Sequence, residues 1–301
     1  MFVFVTGSTG FIGACVVDEL LAAGHQVLGL TRSDAGAAAL AAKGAQAHRG
    51  TLEDPDTLRT GAAQCDAVIH LAFDHDFTHF EANCDKDRRA ITALGEALAG
   101  SARPLIITSG VGMGIPAPGQ AGVETVLNLE HPNPRIASEL AGAAVASTGV
   151  DVRVVRLPQV HDTSRFGLVS PAIDVARTTG ISAYIGDGRN RYSAVHVRDA
   201  ARLYRLALEK GTAGERYHPV AEEGVPMKDI AETIARVLDI PAVSMTAEQA
   251  QAHFGWMTMF VGFDLPASSR LTRERLSWRP AGPGLLDDLL QYRPDRTKRS
   301  I

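Results

Sequence analysis

Apolar residues in the first half of the chain come in short runs that do not alternate with polar ones, at 2–5, 27–30, 67–71, 105–108 and 152–155. Such runs suit strands covered on both faces, as in a parallel sheet. A weaker strand is expected at 45–48. Between the strands, apolar positions recur at helical spacing over 11–23, 35–42, 54–63 and 86–98, with Gly24 and Gly44 placed to end the first two helices and Pro55 in the first turn of the third. Strands alternating with helices at this spacing predict βαβ units. Right-handed crossovers then put helices on both faces, which gives an α/β fold with a doubly wound parallel sheet.

The second half is less regular. Strands are predicted at 192–197 and 215–220 and helices at 198–210 and 227–238, while 244–276 carries few clean signals. Pro116, Pro118, Pro132 and Pro134 bracket a loop after the fifth strand, where this architecture carries ligand loops. The expected division is a dinucleotide-binding core over 1–160 and a substrate-binding lobe over 161–301.

The dinucleotide expectation rests on the turn after the first strand, Thr6-Gly7-Ser8-Thr9-Gly10-Phe11-Ile12-Gly13, with glycines spaced GxxGxxG. Between a strand and a helix, Gly7 allows the tight turn, Gly10 admits a pyrophosphate to the backbone, and Gly13 lets the helix pack closely on the sheet. The helix amides and positive dipole end then face the phosphates, as in a Rossmann-type site. The second strand ends Leu30-Thr31-Arg32-Ser33, where NAD-preferring folds carry an acid for the ribose 2′-OH. Arg32 offers a fork to a 2′-phosphate instead, with hydroxyls from Thr31 and Ser33, so NADP is expected over NAD. The alternative is that Arg32 is a solvated loop charge.

Charge and cysteine content narrow the class. The chain has 30 basic and 34 acidic residues, for a formal charge of −4. No long basic run appears until the last residues, Arg296, Lys298 and Arg299, so no nucleic-acid partner is expected. Cys15, Cys65 and Cys84 make no disulfide framework and no CxxC pair, which fits a reducing compartment. The apolar start lacks a basic leader region and no run is long enough to span a bilayer. A cytoplasmic protein with a small-molecule substrate is expected, not a membrane one; a homodimer is allowed. His70, His75 and His79, with Asp74 and Asp76, follow no ligand template, so no metal is expected.

With these residues in hand, the chain resembles the short-chain dehydrogenase/reductase superfamily in its extended, epimerase/dehydratase-like branch. The glycine loop carries the resemblance, with Gly50-Thr51-Leu52-Glu53-Asp54, Asp66-Ala67-Val68-Ile69-His70-Leu71-Ala72, Thr108-Ser109-Gly110 and Val155-Arg156-Leu157-Pro158. So do Ala194-Val195-His196-Val197-Arg198-Asp199-Ala200-Ala201 and, near the end, Arg275-Leu276-Ser277-Trp278-Arg279-Pro280. The resemblance implies a smaller C-terminal substrate lobe interleaved with the last sheet strands. It also implies cofactor contacts at Leu71, Ala72, Phe73, Leu157 and Pro158. The implied activity is that of an NADP(H)-dependent oxidoreductase or epimerase/dehydratase on a small carbonyl or hydroxyl compound, such as a nucleotide sugar.

One departure stands against that activity. The family's chemistry uses a Tyr-x-x-x-Lys pair, and the matching stretch here is Arg135-Ile136-Ala137-Ser138-Glu139. Arg135 then replaces the tyrosine and Glu139 the lysine, while the family's serine survives as Ser109. The helix position that usually holds asparagine is Asp87. This pattern is similar to the superfamily's atypical members, which keep the cofactor and often lack the tetrad. A non-catalytic, cofactor-sensing protein is therefore the alternative reading.

Four candidates remain for chemistry. Ser109 can hydrogen-bond a substrate carbonyl. Asp87 is an acid or base if burial raises its pKa, or else a polar anchor for its helix. Arg135 is an anion clamp, or pairs with Glu139 one turn away on a helix surface. His161 is a proton shuttle at the carboxyl end of the sixth strand, or an inert loop histidine. The stretch 253–260 is rich in aromatic and apolar residues; core packing is its first reading, with a substrate cavity or subunit contact as the alternative.

Overall fold

The computed structural model describes residues 1–293, so Arg296, Lys298 and Arg299 lie outside the described residues. The first half runs β1 (Phe2–Thr6), α1 (Phe11–Ala22), β2 (Gln26–Thr31), α2 (Asp34–Ala42), β3 (Gln46–Arg49), α3 (Pro55–Ala63), β4 (Ala67–His70), α4 (Phe80–Leu98), β5 (Pro104–Gly110), α5 (Ile136–Ala146) and β6 (Asp151–Leu157). The second half adds β7 (Gln159–His161), α6 (Val169–Thr179), β8 (Ser182–Ile185), β9 (Arg191–His196), α7 (Val197–Lys210), β10 (Arg216–Tyr217) and β11 (Glu222–Pro226). It closes with α8 (Met227–Leu238), β12 (Ala242–Met245), α9 (Ala247–Phe254), α10 (Thr258–Gly262), α11 (Arg270–Leu276) and α12 (Leu285–Gln291).

The main sheet has seven strands in the order β10-β6-β5-β4-β1-β2-β3, and every pair is parallel. Its unbroken apolar runs are explained by two cores. Alternate strand residues point to opposite faces. Val3, Val5, Val27, Ile69 and Ile106 enter one core with α1 and α7. Phe4, Leu28, Val68, Leu105 and Ile107 enter the other with α3, α4 and α5. This is the doubly wound Rossmann arrangement. The strand order reverses between β1 and β4, the crevice where open α/β sheets bind ligands.

Two predicted elements shift. The helix expected from residue 86 begins at Phe80, because its polar first turns are held by ring contacts of Phe80 with Phe73 and Phe77. The strand expected at 215–220 is only Arg216–Tyr217; the chain turns at His218, and Ala221 N already bonds Ala194 O in another layer.

Outside the main sheet, β11-β9-β7 form one small sheet and β12-β8 another. Their core gathers Phe166, Ile173, Tyr192, Met227, Ile230 and Leu285. The weakly patterned stretch 244–276 contains three helices, the first opened by a Thr246–Gln249 capping box. Trp278 is fully buried and donates Nε1–H to Asp199 O at 3.0 Å, while Asp199 Oδ2 accepts from Ala281 and Gly282 N–H. The two late motifs thus fasten residues 278–282 to α7. Among the described residues, no helix is long and apolar enough to cross a membrane.

Candidate functional site

The glycine turn is shaped by backbone crowding. Gly7 has φ +67°, and a Cβ there would lie 2.8 Å from Ala72 N. A Cβ on Gly13 would sit 2.0 Å from Gly7 O, so the close seat of α1 needs a hydrogen there. Thr9 and Gly10 are exposed, and α1 opens at Gly10 with no side-chain cap and no acid in its first turn. Its first amides are left for an outside acceptor.

Thr6 and Ser8 point inward. Ser8 Oγ donates to Leu30 O at 2.9 Å, tying the loop to β2. Thr6 Oγ1 accepts from Leu71 and Ala72 N–H at 3.1 and 3.2 Å and lies 2.7 Å from His70 Nδ1. Both side chains build the turn rather than face a ligand. Phe11 and Ile12 are half-buried at the helix opening, with the Arg165 guanidinium 5.7 Å from the Phe11 ring centre. Leu157 is half-buried and Pro158 buried at the end of β6.

At the end of β2, Ser33 caps α2 by accepting from Gly36 N–H at 3.1 Å, and the Thr31 hydroxyl turns toward Ser33. Arg32 is exposed. Asp34 is held at 3.4 Å by Arg49. A second guanidinium therefore borders the same rim.

Behind the turn lies a buried polar chain. His70 ends β4 opposite Thr6 in register, and its Nε2 is 3.1 Å from Asp87 Oδ1. Thr6 already accepts two amides, so its hydroxyl donates to Nδ1, which leaves His70 donating Nε2–H to Asp87. Asp87 Oδ2 accepts the Ser138 hydroxyl at 2.6 Å and faces Arg135 Nη1 at 3.0 Å. Burial pushes the Asp87 carboxyl up, but Arg135, His70 and Ser138 together outweigh it and hold the group below its usual range. The protonated-acid reading of Asp87 is thereby corrected: three converging donors outweigh desolvation and keep it charged.

Arg135 does not pair with Glu139, as the helix-surface reading had it. Its guanidinium lies 3.7 Å above the Phe73 ring, pairs with Asp87, and donates from Nη2 to Thr108 O at 3.2 Å. Nη1 faces Asp87 as an ion pair without an aligned hydrogen bond. Glu139 turns the other way. It receives Arg156 Nε and Nη2 at 2.7 and 2.8 Å and Arg216 Nε at 2.9 Å. Burial pushes Glu139 up, yet these donors hold it ionised below its usual range.

Ser109 is buried on β5 beside Thr108, close enough to Glu139 to help hold that charge, but its Oγ has no aligned partner. The structure thus brings Asp87 and Arg135 into contact, and places Ser109 on the Glu139 side, one residue along β5 from the Thr108 carbonyl that Arg135 reaches. His161 is elsewhere. It lies on β7, its Nδ1 is 2.7 Å from Asp288 Oδ2, and its ring faces His196. Burial lowers its pKa despite Asp288.

Three members of this site were not singled out for a catalytic role from sequence: His70, Ser138 and Arg156. His70 and Thr6 end neighbouring parallel strands, and Ser138 lies three residues from Arg135, so two of the three carried a positional signal. His70, His75 and His79 separate: His70 joins Asp87, His79 pairs with Asp76, and His75 packs edge-on to Phe73.

Comparison with known proteins accords with this geometry. The profile of the NAD(P)H-binding family matches residues 7–182. An uncharacterized protein of Schizosaccharomyces pombe is 48% identical, over 96% of this chain and 98% of its own length. A 4-hydroxy-2-methyl-3-oxo-4-farnesyl-3,4-dihydroquinoline-1-oxide ketoreductase of Stigmatella aurantiaca is 27% identical, over 85% of this chain and 80% of its own. The dTDP-glucose 4,6-dehydratase DesIV of Streptomyces venezuelae shares the fold, with a TM-score of 0.77 at 21% identity over 99% of this chain and 98% of that one. The chain belongs to the NAD(P)H-binding family, and its fold is that of epimerase/dehydratase-type enzymes.

Proposed function

We propose that the chain is an NADP(H)-dependent reductase of a small carbonyl compound, with Ser109 and Arg135 holding the substrate oxygen. The observation that carries this reading is Ser109 Oγ, a buried hydroxyl without an aligned partner at the carboxyl end of β5, next to the Thr108 carbonyl that receives Arg135 Nη2. A buried donor left unpaired costs about 1–3 kcal/mol, so this hydroxyl points to an acceptor supplied from outside.

The residues present suit the cofactor. The open first turn of α1 suits its pyrophosphate, and Arg32, with Arg49 nearby, suits a 2′-phosphate. When bound, the cofactor supplies hydride chemistry at its nicotinamide. The chain orients the substrate oxygen through the Ser109 hydroxyl and the Arg135 charge. Asp87, itself braced by His70 and Ser138, keeps the guanidinium in place over Phe73.

The test is NADPH oxidation with a panel of aldehydes and ketones, in wild type and Ser109→Ala. Turnover that falls about 100-fold in the variant supports the reading. Tight cofactor binding with no turnover on any acceptor favours the non-catalytic sensor.

A further inference from the structure

We infer that the acceptor, on the reductase reading above, is a flat conjugated carbonyl compound, a quinone or aryl enone, whose reduced form is a delocalised oxyanion held by Arg135. The first support is the charge that replaces the missing proton donor. A guanidinium stays protonated at neutral pH and stabilises negative charge without giving up a proton. Asp87 and Glu139 are both held ionised. Tyr204, which touches Thr108 at 2.8 Å, is fully buried and pushed up by that burial. His131, on the loop over Gly112, is pushed down by burial. His75 is open to solvent at its edge, yet packing and the Arg135 charge push it down too. The groups around Arg135 thus supply none of the acid that an alkoxide would demand, and what faces an oxyanion is the guanidinium of the Arg135–Asp87 ion pair.

That demand depends on the substrate. Reducing a saturated ketone makes a localised, strongly basic alkoxide, which needs an acid in the transition state. A quinone or enone spreads the same charge over a conjugated system, and a fixed cation suffices. Bound nicotinamide would supply the two electrons and one hydrogen as hydride; the acceptor oxygen would take the charge beside Arg135, and one proton from water would complete the product.

The second support is the wall beside Arg135. Ring contacts start at Phe73, under the guanidinium, and pass to Phe80 at 6.1 Å and then Phe260 at 6.3 Å. They end at Trp256, 6.0 Å from Phe260 and stacked on Phe77 at 5.2 Å with a 15° tilt. Trp256 is 52% exposed and Met259 49%, so this ring surface is open on one side. The guanidinium covers Phe73, the rings that follow meet edge-on, and the parallel Phe77–Trp256 pair ends the row with Trp256 exposed; a planar, electron-poor ligand that spans the row meets a cation at one end and a flat ring at the other.

The experiment compares menadione with the saturated bicyclic ketone 2-decalone, using NADPH. Menadione should be reduced at least about 100-fold faster, with a solvent deuterium isotope effect of about one. Arg135→Leu should lose about 100-fold in kcat, Arg135→Lys should recover part of it, and Trp256→Ala should raise KM about tenfold. A second readout needs no turnover. The absorbance of 6-cyano-2-naphthol bound to wild type should show the naphtholate at a pH where the free dye is neutral, and Arg135→Leu should abolish this. Faster turnover of 2-decalone, or a large solvent isotope effect with menadione, overturns the inference and leaves the reductase reading standing. No turnover with either acceptor, but naphtholate bound through Arg135, overturns the reductase reading and supports the recognition argued here. No turnover and no naphtholate overturns both.

Discussion

The turn between β1 and α1 and the opening of α5 are joined through Thr6, His70, Asp87 and Arg135 but are built by different forces. At the turn, backbone atoms crowd one another: Gly7 needs a positive φ, and a side chain on Gly13 would strike Gly7 O. At α5, pairing is electrostatic. Arg135 leans on Asp87 and Phe73, while Glu139, one turn later, is gripped by Arg156 and Arg216. Steric requirements fix which residue must stand at a position. Charge requirements fix only that each buried charge find a partner, and here Asp87 and Glu139 drew their cations from different parts of the chain.

The largest test of this contrast is Glu139→Ala. Arg156 would remain wholly buried with half its partners gone, and stability measured by urea unfolding should fall by about 4 kcal/mol. A loss under about 1 kcal/mol would show the charges at α5 to be incidental. Gly13→Ala comes next. It should destabilise by about 3 kcal/mol and, even where folded, weaken NADPH binding in calorimetry. Unchanged binding would break the steric side of the comparison.

Asp87→Asn should cost about 2 kcal/mol at pH 7. Asp87 and Glu139 both have depressed folded pKa values, so their stabilisation is present above the unfolded carboxylate range, about pH 4, and is lost as pH falls through the folded values. Thermal melts should therefore drop on acidification, less steeply in Asp87→Asn. A melt insensitive to pH would contradict the ion pairs. The smallest effect is at the rim. Arg32→Ala should weaken NADPH about tenfold and leave NADH unchanged. Equal losses for both would mean that Arg32 reads no 2′-phosphate.

Much of the sheet was legible because its strands are buried on both sides. The runs at 2–5, 67–71 and 105–108 match β1, β4 and β5 within a few residues at each end. The start of α4 was not, since Phe80 is fixed by Phe73 and Phe77 rather than by its own helix's periodicity. Nor was the route of the chain after β6, where β7 and β9 leave the main sheet to build their own.

What the sequence alone determined is the βαβ core and the glycine cradle, because the pattern of a doubly covered strand and the absence of a Cβ are local properties. Which cation answers which carboxylate was decided only by the tertiary structure. Arg135 and Asp87 are 48 residues apart, and Arg216 and Glu139 are 77 apart, so no spacing along the chain reveals the pairing. Folding removes these charges from water, and the partner is whichever opposite charge the packing of distant elements leaves within reach.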